Sequence, residues 1–446
     1  MKKRILSSKL ETTSEIKQAI KYIKQGKNVF IHGRPGTGKS TFLKTLRQSL
    51  KKKNFIYVAP TGIAALNIHG QTIHSFFNIN PQDIYAPIGN SKISSLRSAW
   101  QGIDILVIDE ISMVRADIFD RIDDRLRTVF KTDRTFANKQ VVVVGDLHQL
   151  PPVLNPKSDL EQDRICRENY PSPYAFDAKC WKSLNFKDVF FTKVFRQKDK
   201  NFNKNLLALE SHHNKNFAKA LQFFNERVSN ERPKGAVCLC ARKTDAEKIN
   251  EAELDKLPMP VYTIRASESS YFPFDWSGNN CPAPKILKLK IGAKVMFLRN
   301  DDEKRFVNGT VGYIKSINAD SAQEDAVESI TVQIPSGGEI TLRRYTWYKT
   351  TLNKETGRQE ADLFNYYCQF PLQLAWATTI HKAQGMTFDS TYIDMGEEGA
   401  FSTGQTYVAL SRVRSIEGLS LKQPIKARDI LDNPAVEQFY KTILRN

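Results

Sequence analysis

A chain of 446 residues is too long for one ordinary hydrophobic core, so about two to four domains are expected. Its 41% hydrophobic content excludes a disordered protein, and no stretch approaches the roughly 20 apolar residues of a membrane span. The formal net charge of +18, from 66 Lys+Arg against 48 Asp+Glu, points to a polyanionic partner, nucleic acid ahead of an acidic membrane surface; a solvated lysine-rich surface is the bland alternative. The N-terminal run MKKRILSSKLETTSE is basic but has no apolar run long enough for a signal peptide. Residues 1–190 alternate strand-like runs (NVFIHG, NFIYVAP, IDILVIDE, QVVVVGD) with helical patterns. In KSTFLKTLRQSL, Phe42, Leu43, Leu46 and Leu50 fall at helical spacing. Such alternation predicts a parallel sheet covered on both faces. The polar and aromatic stretch 66–101 has room for a small inserted element.

Residues 191–250 open a second α/β unit. A helical stretch with Leu206, Leu207, Phe217 and Leu221 precedes the strand GAVCLCA and the helix TDAEKINEAEL. Residues 251–369 are rich in Pro, Gly, Tyr and β-branched residues, with turn signals SGNN, NGT and PSGGE, which reads as a small inserted β domain. From Pro371 the α/β pattern returns in LQLAWATTIHKAQG, STYIDMG and TYVALSRVRS. The six cysteines form no C-x-x-C pair, which disfavours a structural zinc site and suggests reduced core thiols. Cys238 and Cys240 alternate as on one face of a strand.

Gly33, Arg34, Pro35, Gly36, Thr37, Gly38, Lys39 and Ser40 make a full G-x-x-x-x-G-K-[ST] between a strand and a helix. Glycines let backbone N–H groups close around phosphates, and the helix N-terminus adds positive field. Lys39 is expected to reach the β/γ-phosphates and Ser40 to ligate Mg²⁺. The strand IDILVIDE ends in Asp109 and Glu110, adjacent carboxylates that are costly unless paired. Asp109 is expected to hold Mg²⁺ and Glu110 to polarise the attacking water. The segment VVVVGDLHQLPPV ends a core strand in Asp146, His148 and Gln149 and then two prolines, which would stiffen the following loop.

These sites describe a P-loop ATPase, an engine many functions share. The ordered blocks that follow discriminate: DEISM, GDLHQLPPV, VFRQ, TIHKAQGMT, YVALSR, and the aromatic segment PTGIAALNIHGQTIHSFF. Together they resemble the superfamily 1B DNA helicases, and the petite-integration-frequency (PIF) family most of all, with RecD-like and Dda-like relatives. The likeness runs from about Ile31 to Arg414 and weakens through 251–290 and 313–365. It implies two RecA-like P-loop NTPase domains. The first spans 1–190 with a small wedge insertion at about 64–80. The second spans 191–250 and 370–446, with part of 291–300, and an SH3-like β-barrel is inserted at 251–369.

The resemblance also implies residue roles. ATP and Mg²⁺ would sit between the two domains, against the phosphate loop together with Thr41, and with Gln384 and Gly385 across the cleft. Gln149 would touch the γ-phosphate, and Arg196 and Arg412 would act as arginine fingers, planar fixed cations suited to charge building on the γ-phosphoryl group. Pro60, Thr61, Gly62, Thr72 and His74 match positions lining single-stranded DNA, as do Thr379, His381 and Lys382 in the second domain. His148 is grouped with them. His69, Phe76 and Phe77 either stack on bases or shape the wedge, with core packing an equal alternative for the two phenylalanines. The Asn308-Gly309-Thr310 turn fits a type I′ hairpin and is assigned no chemistry. One departure concerns adenine: the family's glutamine before the first strand is displaced here to Gln18, with Ile16 in the expected place.

The function implied is a monomeric, ATP-dependent 5′→3′ helicase on single-stranded DNA and single-strand/duplex junctions, serving replication, repair and recombination. A cytoplasmic, bacterial-type, nucleoid-associated setting goes with it, without a membrane partner. Two rivals are a translocase that remodels complexes without productive unwinding and an ATP-gated DNA clamp. Intact Glu110, Gln149, Arg196 and Arg412 disfavour the clamp.

Overall fold

The computed structural model describes residues 13–443 apart from 51, 81–82, 155–159, 198, 270–275, 277–280, 302, 304, 320–326, 336 and 353–358. The SGNN turn signal and the start of the basic N-terminal run lie outside the described residues. Six strands form the first sheet: β1 (Val29–Gly33), β2 (Phe55–Ala59), β3 (Gln71–Thr72), β4 (Ile105–Ile108), β5 (Gln140–Gly145) and β6 (Lys187–Phe191). Their order is β3-β2-β4-β5-β1-β6 and every pairing is parallel. Continuous apolar runs are what a sheet covered on both faces requires, and β1, β2 and β4 are buried at every position. All strands point one way, so the polar residues after β1, β4 and β5 emerge along one edge, where open α/β sheets bind ligands.

The second parallel sheet is built from β7 (Val237–Cys240) and three strands after the insertion. The inserted strands are β8 (Tyr262–Arg265), β9 (Ser267–Ser269), β10 (Ile286–Leu289), β11 (Lys294–Phe297), β12 (Val311–Ala319), β13 (Val327–Gln333), β14 (Glu339–Leu342), β15 (Tyr345–Leu352), β16 (Gln359–Gln369) and β17 (Leu372–Leu374). Then β18 (Ala377–Thr379), β19 (Thr391–Asp394) and β20 (Leu419–Leu421) complete the order β18-β7-β19-β20. The insertion is antiparallel throughout: β14-β13-β12-β11-β17, with β15-β16-β9 and β10-β8 beside it. Cys238 and Cys240 do share a buried face of β7, their sulfurs 3.7 Å apart.

Four stretches bear on how the units divide. β11 is bonded on both edges within the antiparallel sheet, so 291–300 belongs to the insertion, although Met296 packs into the second parallel unit's core. β17 carries the insertion past 370. Within the 64–80 stretch, Ile73, Phe76, Phe77 and Ile79 pack with Trp100 in the first unit's core. The closing helix Pro434–Ile443 leaves the second unit and packs on the first, with Val436 fully buried there. The Asn308-Gly309 turn also differs from a type I′ hairpin: only Gly309 has positive φ, and the Thr310 N–H donates to the Val307 carbonyl at 2.9 Å, the type II pattern.

Candidate nucleotide and DNA site

β1 runs directly into the glycine loop and the helix Lys39–Ser49. That helix begins at Gly38 in left-handed conformation with no side-chain cap, so its first N–H groups are left for an outside acceptor. Gly36 is required twice over. Its φ is +79°, and a Cβ there would come within 2.4 Å of the Arg196 Cβ. The Lys39 ammonium donates to the Gly33 and Arg34 carbonyls, so the loop is closed on its own lysine. Burial lowers the Lys39 pKa, opposed by Asp146, Glu110 and Asp109 nearby. Ser40 and Thr41 stand exposed in the first helical turn.

Asp109 and Glu110 leave β4 into the cleft. Glu110 is held at φ 51°, ψ 47°, an uncommon backbone state for a residue with a side chain, and its N–H donates to the Asp109 carboxylate at 2.9 Å. Burial raises both carboxyl pKa values, with Glu110's charge adding to the effect on Asp109, which is pushed up to about 7. Such a buried pair of carboxyls suits a divalent cation, which would hold both in charged form.

The loop after β5 is ordered by Asp146. One carboxylate oxygen accepts the His148 N–H at 3.2 Å and the other accepts the Gln149 side-chain amide at 3.0 Å, while the Asp146 carbonyl takes the Gln149 N–H. From the second unit, Gln384 donates to the Glu110 carboxylate at 3.0 Å, a hydrogen bond across the cleft. Arg196 donates to the Ser411 carbonyl at 3.2 Å. Arg412 is buried and bonded to the Val408, Ala383 and Met386 carbonyls and to the Ser411 hydroxyl. Burial lowers Arg196 to about 10 and Arg412 to about 9, with Arg196 adding repulsion to Arg412 and Glu110 attracting both. Gly385, beside Gln384, is exposed with φ +79°.

Two nucleotide-side residues stand apart from expectation. Gln18 is exposed and bonded to the Tyr22 hydroxyl one turn along its own helix, not to the phosphate loop. Phe195, which sequence reasoning did not single out, lies over the loop: its N–H donates to the Gly36 carbonyl at 2.8 Å, and a Cβ on Gly38 would touch its ring at 3.4 Å. The signal was present in VFRQ, as an aromatic directly before the arginine.

On the DNA side, three threonines serve as caps. Thr61 accepts the Ala64 N–H, Thr72 the Ser75 N–H and Thr379 the Lys382 N–H. Pro60 and Gly62 flank the first of these at the end of β2. His69 is exposed with φ 51°. His74 has its pKa lowered by burial and by Arg115. His381 stacks on Phe401 with its pKa lowered by burial, beside exposed Lys382. One expectation is corrected. Phe76 is buried against Phe77 and Trp100, so its ring is core, as is that of Phe77. His148, partly exposed, packs on Tyr440 and lies 4.0 Å from Glu210.

Comparison with known proteins adds a frame to this geometry. A family model described as PIF1-like helicase matches residues 9–231, and one described as the 2B domain of DNA helicase Pif1 matches residues 278–317. The human ATP-dependent DNA helicase PIF1 is 32% identical over 98% of this chain, which spans 65% of that protein's length. A Bacteroides sp. Pif1 structure in complex with ADP-AlF4 is 34% identical, covers 97% of each chain and gives a TM-score of 0.82. A Bacteroides Pif1 structure bound to single-stranded DNA is 35% identical over 96% of each chain, with a TM-score of 0.68.

Proposed function

The chain belongs to the PIF1-like helicase family, and from that premise we propose that it is an ATP-driven DNA helicase. One observation carries the proposal: the cleft faces Lys39, Asp109 and Glu110 of the first unit with Gln384, Arg196 and Arg412 of the second. Lys39 leaves its loop carbonyls for the β/γ-phosphates. Ser40 and Asp109 would hold Mg²⁺, which would supply charge neutralisation on the phosphate oxygens. Glu110 takes the proton of the attacking water, and burial, which raises its pKa above the ordinary carboxylate range, makes its carboxylate a stronger base. Arg196 and Arg412 offset charge that builds on the γ-phosphoryl oxygens as the bond to ADP breaks. Gln149 contacts the γ-phosphate and registers its loss.

The coupled work is translocation on single-stranded DNA with 5′→3′ polarity and separation of the strand ahead. Pro60, Thr61, Gly62, Thr72, His69 and His74 grip the backbone from one side, and Thr379, His381 and Lys382 from the other. The motor acts as a single copy at single-strand/duplex junctions, in the cytoplasm and on the nucleoid, in replication, repair and recombination. Comparing ATP-driven unwinding of 5′-tailed and 3′-tailed duplexes tests activity and polarity together. Separation of the 5′-tailed substrate alone is expected. ATP hydrolysis stimulated by DNA without strand separation would turn the assignment toward a translocase.

A further inference from the structure

Neither the His148 side chain nor the helix Pro434–Ile443 has been given a role in the cleft chemistry described above. The fold brings the two together. Val436 and Phe439 anchor that helix on the first unit, Phe439 stacking on Phe176 at 4.3 Å. Tyr440 makes a different set of contacts. Its ring lies against His148, centroids 5.2 Å apart and planes 11° from parallel, and against His32 at 5.4 Å. Its hydroxyl faces the Leu147 backbone amide. His32 sits on β1 just before the phosphate loop and is paired with Asp188 at 2.7 Å. His148 sits just before Gln149 and faces Glu210, which also accepts from Arg34 of the phosphate loop at 3.2 Å.

We propose that Tyr440 is a positioning residue for hydrolysis, a rigid ring from the last helix that fixes the Asp146–Gln149 loop relative to the phosphate loop. The hydrogen bonds of Asp146 order that loop internally, but none of them reaches β1. The ring does reach, with His32 against it on one side and His148 on another. A displacement of order 1 Å in a catalytic group can cost about 100-fold in rate, so a spacer at this point acts on turnover without touching ATP. The inference rests on the ATPase reading of the cleft.

The test uses the full chain and DNA-stimulated ATP hydrolysis. Tyr440→Leu keeps apolar bulk and removes the stack; kcat should fall about 10-fold or more while KM for ATP and affinity for a fluorescent ADP stay within about twofold. Tyr440→Phe keeps the ring and should stay within about twofold of the parent. Phe439→Leu, on the same helix, should lower thermal stability and leave kcat unchanged. Unchanged kcat in Tyr440→Leu, or an equal loss in Phe439→Leu, overturns the proposal. If Tyr440→Leu does not fold, His148→Leu removes the stack from the other side and must reproduce the kcat loss; full activity there overturns it too. An inactive parent chain is a separate outcome: it defeats the ATPase reading, and the proposal falls with it.

Discussion

The carboxylates of the cleft make two sharp demands. Glu110→Gln keeps shape and the approach of Gln384 but removes the base, so turnover should drop by about 10²–10⁴-fold while nucleotide still binds. Unchanged turnover measured in a coupled ATPase assay would reassign the base. Asp109 is pushed up to about 7, so its carboxyl is protonated below that pH and charged above it. A divalent cation needs the charged form, so Mg²⁺-nucleotide affinity should rise with pH through about 7, whereas affinity for the metal-free nucleotide should not follow. Fluorescent-nucleotide titrations at several pH values, with and without Mg²⁺, separate the two. These residues were legible in the sequence because strand, turn and carboxylate are contiguous. Phe76 was not. Its burial depends on Trp100 across a connecting stretch, and periodicity within Phe76's own short helix carries no information about that partner. Phe76→Leu should cost about 1 kcal/mol of stability by denaturant melt and leave single-strand affinity unchanged; a loss of DNA affinity without destabilisation would restore the ring to the groove.

At the scale of elements, the parallel strands could be read from their apolar runs because both faces are covered and no neighbour is needed to explain them. The antiparallel insertion was legible as a class but not in its edges. β11 and β17 are short apolar runs that would suit either sheet, and only their hydrogen-bond partners decide. The turn at Asn308-Gly309 shows the same limit: Asn-Gly permits more than one turn type, and the 2.9 Å bond from Thr310 N–H to the Val307 carbonyl identifies this one. Asn308 also donates to the Asn67 side chain at 3.3 Å, so the inserted domain touches the short helix that follows Pro60 and Thr61. Thr61→Ala removes that helix's cap and should cost about 1 kcal/mol in a thermal or denaturant melt.

For the whole molecule, the +18 charge predicts that DNA affinity falls steeply as salt rises, because each phosphate contact releases counterions. A flat titration would contradict phosphate contacts by the proposed DNA-gripping residues. The closing helix changes how the halves can move. The chain passes from the first unit to the second after β6, and between Ile430 and Pro434 it crosses back, so that Pro434–Ile443 packs on the first unit. Two covalent crossings joining two bodies act as a door on a pair of hinges. Any relative motion of the two units is then restrained at two points of the chain instead of one.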